Sequence, residues 1–345
     1  MIHNFCNRAH TGHAFMKRAL YLSTLGGPRI SPNPFVGAVI VFDDRIIGEG
    51  YHRQFGEEHA EVNAVTSVRP EDRWLLTQST MYVTLEPCSH FGKTPPCADL
   101  IIREDIPHVV IAAPDPFLKN YESGIQRLSN AGIKVEVGMM QRESEWINRR
   151  FFTAHSLKRP FVLLKWAQSA DGFIAGDNGT PVILSNPFTQ MLMHRERAYY
   201  DAIMVGTNTV INDNPSLTCR LWPVRDSGCR PLKVTFDSPS LSGTSHLEKG
   251  ALIKKASSET LDDFLHRLYR DFSITSLMVE GGKKTIELFL HNYLFDEIRI
   301  EVSRKNIGNG IPAPDPLPFT RYFTMMELPP QTYGGNAISF FVKNY

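Results

Sequence analysis

The chain has 345 residues, of which 42% are hydrophobic and 21% charged, and this length predicts two domains. The formal net charge of +1 at pH 7 argues against a protein that holds long nucleic acids, and no apolar run reaches the roughly 18 residues that span a membrane. Because the five cysteines are sparse and no secretory signal pattern opens the sequence, we expect a cytoplasmic protein without a disulfide framework.

Apolar periodicity and turn residues predict alternating helices and strands in the first half of the chain. Residues 1–13 lack this periodicity, and we expect them to form a disordered extension. The elements predicted after them are a helix at 14–24, strands at 36–41 and 45–51, a helix at 59–68, a strand at 81–85, a helix at 97–103, a strand at 109–113, a helix at 124–131 and a strand at 135–137. Such alternation predicts a sheet covered by helices.

A short polar connection at 155–160 separates this region from a second alternation of the same kind. The predicted elements there are a strand at 161–166, a helix at 187–199, strands at 202–206, 232–236 and 276–279, a helix at 283–291, and strands at 297–302 and 337–342. We therefore expect one α/β domain over residues 14–155 and a second over residues 156–345.

The motif with the clearest chemistry combines one histidine with two cysteines. The imidazole of His59 and the thiolates of Cys88 and Cys97 make a three-ligand zinc set, which leaves the fourth tetrahedral position open as in catalytic sites. Glu61 lies two residues after the histidine, where it can carry protons without binding the metal. The H-x-E…P-C arrangement is the signature of zinc deaminases, in which the metal activates water for attack on an amino-bearing ring carbon.

The spacing between the two cysteines differs from the common P-C-x-x-C form. Eight residues separate Cys88 from Cys97, and Gly92, Pro95 and Pro96 among them predict a loop that folds back to the metal. His90 lies in this loop and is an alternative ligand, but thiolate is the stronger zinc donor. A purely structural zinc module is disfavoured because only three protein ligands are evident.

Read together, several motifs resemble the bifunctional deaminase/reductase family of riboflavin biosynthesis. The resemblance runs from about Phe15 to the C-terminus. The motifs that carry it are Ser31-Pro-Asn-Pro-Phe-Val-Gly37, His59-Ala-Glu61, Thr84-Leu-Glu-Pro-Cys-Ser-His90 and Thr94-Pro-Pro-Cys97 in the first half, and Lys165-Trp-Ala-Gln-Ser-Ala-Asp-Gly172, Val205-Gly-Thr-Asn-Thr209, Asp213-Asn-Pro-Ser-Leu-Thr-Cys-Arg220 and Val279-Glu-Gly-Gly282 in the second.

This resemblance implies a fold and two reactions. The implied fold is α/β, with an N-terminal cytidine-deaminase-like α/β/α domain followed by a dihydrofolate-reductase-like α/β domain. The first domain would use zinc and Glu61 to deaminate 2,5-diamino-6-(5-phosphoribosylamino)pyrimidin-4-one hydrolytically. The second would use NADPH to reduce the ribosyl group to ribityl phosphate. The implied partner is thus a small phosphorylated pyrimidine rather than nucleic acid or a membrane, and a homodimer is compatible with the family.

The resemblance also carries binding positions over to this sequence. Arginine suits a phosphorylated substrate because its guanidinium can hold phosphate bidentately. The implied substrate-binding residues are Asn33, Pro181, Arg197, Leu217, Arg220 and Glu280. The implied cofactor-binding residues are Ala167, Ile183, Thr209, Asp213, Gly282, Lys283, Lys284 and Thr285. The glycine pair at 281–282 fits a diphosphate cradle at a helix start, although a plain strand-to-helix turn explains it equally well.

One segment departs from the family pattern. Where the family usually has a tryptophan and a serine, the stretch from Thr180 to Ser185 has Ile183 and Pro181. Each lost contact is worth on the order of 1 kcal/mol. A deaminase whose reductase domain is weakened, or serves only as a binding module, is therefore an alternative. A deaminase of nucleic acids or free nucleobases is a further alternative, which the neutral charge disfavours.

Overall fold

The computed structural model describes residues 2–91, 95–117, 123–222, 231–238, 252–322 and 325–342, with side chains from residue 12 onward. The chain divides into two compact units, Met1–Ser156 and Leu157–Asn344. The domain boundary expected between residues 155 and 156 is one residue away from the observed one. Within the described ranges, no helix combines the length and the apolar character needed to cross a membrane.

The first unit is a five-stranded sheet covered by helices. Its strands are β1 (Gly37–Phe42), β2 (Arg45–Tyr51), β3 (Thr80–Leu85), β4 (His108–Ala113) and β5 (Lys134–Val137), in the order β2-β1-β3-β4-β5. Strand β1 is antiparallel to both neighbours, whereas β3, β4 and β5 are parallel. The helices are α1 (Ile2–Ser23), α2 (Ala60–Ser67), α3 (Cys97–Arg103), α4 (Gly124–Asn130), α5 (Gln141–Ile147) and α6 (Arg149–Leu157).

Strand β1 is apolar throughout because helices cover both faces of the sheet. Val39 and Val41 pack in one core cluster with Met16 of α1, while Ala38 and Ile40 pack in another with residues of α2 and α3. Alternate residues of a strand point to opposite faces, so a strand buried on both sides becomes a continuous apolar run.

A close helix–strand approach fixes the start of α2. A Cβ atom at Gly50 of β2 would collide with the backbone of Ala60 and Ala64 in α2. Glycine at this position therefore lets the helix lie directly on the strand. The first turn of α2 carries the histidine–glutamate motif, so this contact sets the position of the zinc-binding residues.

The second unit is built on an eight-stranded sheet in the order β10-β9-β8-β11-β6-β12-β15-β14. Its strands, including a separate pair formed by β7 and β13, are β6 (Phe161–Gln168), β7 (Phe173–Ala175), β8 (Ala202–Met204), β9 (Leu232–Phe236), β10 (Leu252–Lys255), β11 (Ser276–Glu280), β12 (Glu297–Val302), β13 (Ile311–Pro312), β14 (Met326–Tyr333) and β15 (Asn336–Val342). Its helices are α7 (Pro187–Ala198), α8 (Thr207–Asp213), α9 (Leu261–Phe272), α10 (Lys283–His291) and α11 (Leu317–Tyr322).

The central strands β8, β11, β6 and β12 are parallel, and a helix layer lies on each face. Val162 and Leu164 of β6 pack in a core cluster with residues of α9 and α10, whereas Phe161 and Leu163 pack in one that includes Met193 of α7. The carboxyl ends of parallel strands lie at one edge of a sheet, which is where ligands bind in open α/β folds.

The structure differs from the sequence prediction at the N-terminus. Helix α1 begins at Ile2, within the segment 1–13 expected to be disordered. The prediction is wrong for Gly12 and His13, which belong to the helix. Gly12 is buried close to Met139 and Tyr82, so tertiary contacts extend the helix beyond the periodic part of its sequence.

Candidate active sites

The three predicted zinc ligands come together in the first unit. His59 immediately precedes α2, Cys88 follows β3, and Cys97 is the first residue of α3. The Nδ1 atom of His59 lies 3.5 Å from Cys88 Sγ and 3.4 Å from Cys97 Sγ, and all three atoms lie within 4.8 Å of one another. One imidazole nitrogen and two sulfurs at this spacing fit a zinc ion with an open fourth position.

Hydrogen bonds within this cluster shift the pKa values of the two cysteines in opposite directions. The contact between the two sulfur atoms lowers the pKa of Cys88 and raises that of Cys97, and the Cys97 backbone N–H donates to Cys88 Sγ at 3.3 Å. The hydrogen bond with Cys88 also raises the pKa of His59 to about 9. Zinc ligands must be deprotonated, so metal binding at this cluster releases protons.

The carboxyl group of Glu61 lies beside the predicted zinc ligands but is not one of them. The residue is only 3% exposed, and its burial raises the pKa of the carboxyl to about 7. A carboxyl group that titrates near neutral pH can both accept and donate a proton under physiological conditions. This is the protonation behaviour expected of a general acid and base.

A cavity of about 340 Å³ is lined by His59, Glu61 and Cys88. Asn33 lies in its wall, as predicted for a substrate-binding residue, and its Nδ2 atom is 3.0 Å from His52 Nε2. The Nδ1 atom of His52 is 3.1 Å from the Glu58 carbonyl oxygen. Because that carbonyl can only accept, Nδ1 carries the proton and Nε2 accepts from Asn33. His90 also lines the cavity but lies outside the three-residue ligand cluster, and Gly92 is outside the described residues.

His52 and Asp115 are among the polar residues of this cavity that were not identified from the sequence. His52 follows β2 and Asp115 follows β4, and both line the cavity. Burial raises the pKa of Asp115 to about 6. Its backbone N–H donates to Glu86 Oε2, while Glu86 Oε1 accepts from the N–H of Ile125. A polar residue within two positions of the end of each strand was the signal that could have revealed both.

A second cavity, of about 440 Å³, lies in the second unit. Five predicted binding residues line it, namely Ala167, Ile183, Arg197, Leu217 and Arg220. Glu280, the last residue of β11, is next to this wall because Arg197 Nε and Nη2 donate to its two oxygens at 2.6 and 2.7 Å. Although burial opposes ionisation, the Arg197 guanidinium keeps the pKa of Glu280 below its usual range.

Lys165 lies at the centre of this charged region. It is in register with Glu280 on one side and with Arg299 of β12 on the other, and it lines the cavity. Burial lowers the pKa of its ammonium group. The sequence allows Lys165 either a binding role or simple solvation at a strand end, and its position in the cavity wall favours binding.

The residues of the predicted diphosphate cradle lie at the starts of two helices. Gly282 precedes α10 at φ 72°, and a Cβ there would lie 3.3 Å from Thr209 Oγ1 and 3.5 Å from Thr285 Oγ1. Thr209 belongs to the first turn of α8, which follows Gly206. A Cβ at Gly206 would collide with Thr285 Oγ1. Two helix N-termini with hydroxyl groups and no intervening Cβ fit the phosphates of a dinucleotide cofactor.

Not all predicted residues line the second cavity. Asp213 and Lys284 are exposed, and Lys283 lies 3.7 Å from Glu287 on its own helix. Pro181 is exposed as well, and the wall beside it consists of residues 182–185. The binding roles of these four residues stay predictions, as do those of the predicted residues in the cavity wall.

Two hydrogen bonds fix the segment that departs from the family pattern. Lys305 Nζ donates to the Ile183 carbonyl at 2.7 Å, and Ser185 Oγ donates to Glu301 Oε2 at 3.0 Å. The Ile183 side chain itself is 71% exposed. This segment therefore presents an aliphatic side chain to the cavity on a fixed backbone.

Comparisons with known proteins match both units. The family model described as the cytidine and deoxycytidylate deaminase zinc-binding region matches residues 10–113, and the model described as the RibD C-terminal domain matches residues 160–332. The chain is 37% identical over 322 residues to riboflavin biosynthesis protein RibD of Aquifex aeolicus, covering 87% of this chain and 89% of that protein. It is 32% identical over 328 residues to RibD of Escherichia coli, covering 86% and 88%.

Solved structures agree with these matches over nearly the whole chain. A diaminohydroxyphosphoribosylaminopyrimidine deaminase/5-amino-6-(5-phosphoribosylamino)uracil reductase from Thermotoga maritima is 34% identical, with a TM-score of 0.83 and coverage of 97% of this chain and 99% of that one. RibD from Acinetobacter baumannii is 28% identical, with a TM-score of 0.86 and the same coverage. The expected α/β fold, a deaminase domain followed by a reductase domain, is confirmed.

Proposed function

The chain belongs to the RibD family of riboflavin biosynthesis proteins, and we propose that its two cavities are a deaminase site and a reductase site that act in succession. It is a bifunctional enzyme with zinc and NADPH as cofactors. It deaminates 2,5-diamino-6-(5-phosphoribosylamino)pyrimidin-4-one and then reduces the ribosyl group of the product to ribityl phosphate. The observation that carries the site assignment is the convergence of His59, Cys88 and Cys97 beside the buried Glu61 carboxyl.

In the deaminase site, we assign the zinc to His59, Cys88 and Cys97. A bound zinc ion lowers the pKa of water enough for hydrolytic attack near neutral pH. Glu61 takes up, one after the other, the two protons that the water loses, and delivers the first to the ring nitrogen and the second to the departing ammonia. Its pKa of about 7 supports this two-way role.

Asn33 positions the pyrimidine in the same site. Because Asn33 Nδ2 donates to His52, the amide oxygen of Asn33 is the acceptor for a substrate N–H group. His52 fixes this orientation through its own hydrogen bond with the Glu58 carbonyl. We therefore assign His52 a positioning role behind Asn33.

In the reductase site, we assign the substrate phosphate to Arg197 and Arg220. Arg197 has five N–H donors and commits three of them to Glu280 and to the Thr218 carbonyl, so two remain for phosphate. NADPH supplies a hydride when bound. We assign its phosphates to the cradle of Thr209, Gly282 and Thr285, where helix N-termini and hydroxyl groups favour anions.

Location and partners complete the proposal. We propose a cytoplasmic enzyme that acts on a small phosphorylated pyrimidine, in agreement with the net charge of +1. A homodimer stays a prediction from the family resemblance. Sedimentation analysis of the purified protein tests it.

The proposal is tested by following both half-reactions in one protein. Zinc-loaded enzyme should release ammonia from the diamino substrate without NADPH, and should oxidise NADPH only after deamination. Ammonia release without NADPH oxidation would favour the alternative that residues 180–185 have turned the second unit into a weak binding module. Failure of both reactions would contradict the whole assignment.

A further inference from the structure

One wall of the reductase cavity is an irregular segment with strained backbone positions. This segment, Asn214–Trp222, contributes Pro215, Ser216, Leu217 and Arg220 to the cavity lining. Leu217 has φ 47° and Asn214 has φ 40°, both in the left-handed region. A left-handed leucine is unfavourable on its own, so contacts around it must hold the conformation.

Helix α7 supplies those contacts from side chains near its C-terminal end. Arg197 Nη1 donates to the Thr218 carbonyl at 3.1 Å, and the Arg195 guanidinium lies 5.7 Å from the centre of the Trp222 ring. The Leu221 N–H donates to His194 Nδ1 in a long hydrogen bond of 3.5 Å. His194 and Arg197 are three residues apart and therefore share one helix face.

His194 can accept this hydrogen bond only while its imidazole is neutral. The residue is 6% exposed and lines the cavity. Burial, and then the nearby cations Arg197 and Arg220, lower the pKa of His194 to about 4, whereas Glu280 and the Thr218 backbone act in the opposite direction. The acceptor is therefore present throughout the neutral pH range.

We propose that His194 is a positioning residue for the reductase reaction, whose neutral imidazole holds the Asn214–Trp222 segment so that Arg220 and Leu217 face the phosphorylated substrate. The inference rests on the proposed function, because that function makes Arg197 and Arg220 the phosphate ligands. His194 is not one of the binding residues that the family resemblance implies. Its role follows from its place between α7 and the segment.

The test compares variants that differ in one hydrogen-bond acceptor. His194→Leu keeps bulk but removes the acceptor, whereas His194→Asn keeps an oxygen close to the position of Nδ1. Steady-state NADPH oxidation is measured with the deaminated pyrimidine as the varied substrate. We expect His194→Leu to raise KM about five- to tenfold with kcat nearly unchanged, which is the effect of one lost hydrogen bond. His194→Asn should stay within about twofold of the wild type.

Controls separate positioning from misfolding. His266→Leu changes a histidine of α9 that contacts the Lys158 carbonyl, and it should leave KM unchanged. Ammonia release and NADPH affinity should be equal in all variants. An unchanged KM in His194→Leu, or an equal rise in His194→Asn, would overturn the inference.

Two further outcomes remain informative. If His194→Leu does not fold, His194→Asn is compared with His194→Gln, whose amide lies one bond further from the backbone. The inference expects the lower KM for asparagine, and equal values overturn it. If the wild-type enzyme releases ammonia but never oxidises NADPH, the proposed reductase function fails, and the inference fails with it.

Discussion

Arg197 holds Glu280 through two parallel hydrogen bonds of 2.6 and 2.7 Å, and both side chains are largely buried at the wall of the reductase cavity. Removal of one partner leaves the other charge buried without compensation. Glu280→Ala should therefore lower the free energy of unfolding by about 3 kcal/mol. Urea denaturation measures this loss.

The control for this buried pair is a partly exposed ion pair. Lys283 and Glu287 are 3.7 Å apart on the surface of α10. Glu287→Ala should cost at most about 0.5 kcal/mol, because an ion pair between neighbouring turns of one helix that is open to solvent contributes little. Equal losses in the two alanine variants would contradict the importance assigned to the buried pair.

The proton carrier of the deaminase is tested by Glu61→Gln, which keeps the shape of the side chain but removes its titration. The rate of ammonia release should fall about 10²- to 10⁴-fold. Zinc content should be unchanged, since Glu61 is not a ligand. Reduction of separately supplied deaminated intermediate should also be unchanged. A variant that retains most of its deaminase activity would show that another group carries the protons.

Metal removal should separate the two activities. Dialysis against a chelator is expected to abolish ammonia release, whereas NADPH oxidation with the deaminated intermediate continues. Added zinc should restore the first reaction. Cys97→Ser should lower the zinc stoichiometry measured by elemental analysis, because it removes one of three ligands. Full zinc content in this variant would argue for a ligand other than Cys97, such as His90.

An aromatic side chain at position 183 should strengthen cofactor binding. Ile183 is exposed to the cavity on a backbone held by Lys305, so a larger ring can be accommodated. Ile183→Trp should improve NADPH affinity about two- to tenfold, the value of one aromatic contact. Fluorescence titration measures this affinity. Ile211→Trp on the exposed surface of α8 is the control, and equal changes would argue against a cofactor contact at Ile183.

Acid should destabilise the second unit partly through His194. Its pKa is lowered from 6.5 to about 4, so the unfolded state binds more protons between these values. The stability that comes from neutral His194 is therefore complete above about pH 6.5 and is lost as the pH falls towards 4. Unfolding free energies of the wild type should decrease more steeply over this range than those of His194→Asn. Parallel curves would contradict this assignment.

The parts of the molecule that the sequence predicted are those with local signals. His59, Glu61, Cys88 and Cys97 were found because ligand type and spacing are visible in the chain. Most strands were found because apolar residues recur along them, whereas β10 and β14 of the second sheet were missed. Helix α9 was missed although Leu261, Phe264, Leu265 and Leu268 form a helical stripe, which was a signal left unused.

Other features could not be read from spacing because they depend on contacts far apart in sequence. His52 acts through Asn33, and His194 acts through a segment that it contacts at Leu221, 27 residues later. The Arg197–Glu280 pair joins a helix to a strand 83 residues away. Only the fold reveals such partners, whereas the family resemblance gave positions without their contacts.

The most direct test of the account is a sequential assay of zinc-loaded enzyme with the diamino pyrimidine phosphate. Ammonia should appear first without NADPH, and NADPH added later should be oxidised in an amount equal to the ammonia released. Glu61→Gln should release ammonia at least about 10²-fold more slowly, so NADPH oxidation at the wild-type rate in this variant would contradict this order. Release of no ammonia by the wild-type enzyme would contradict the central claim that the His59–Cys88–Cys97 cluster is a deaminase centre.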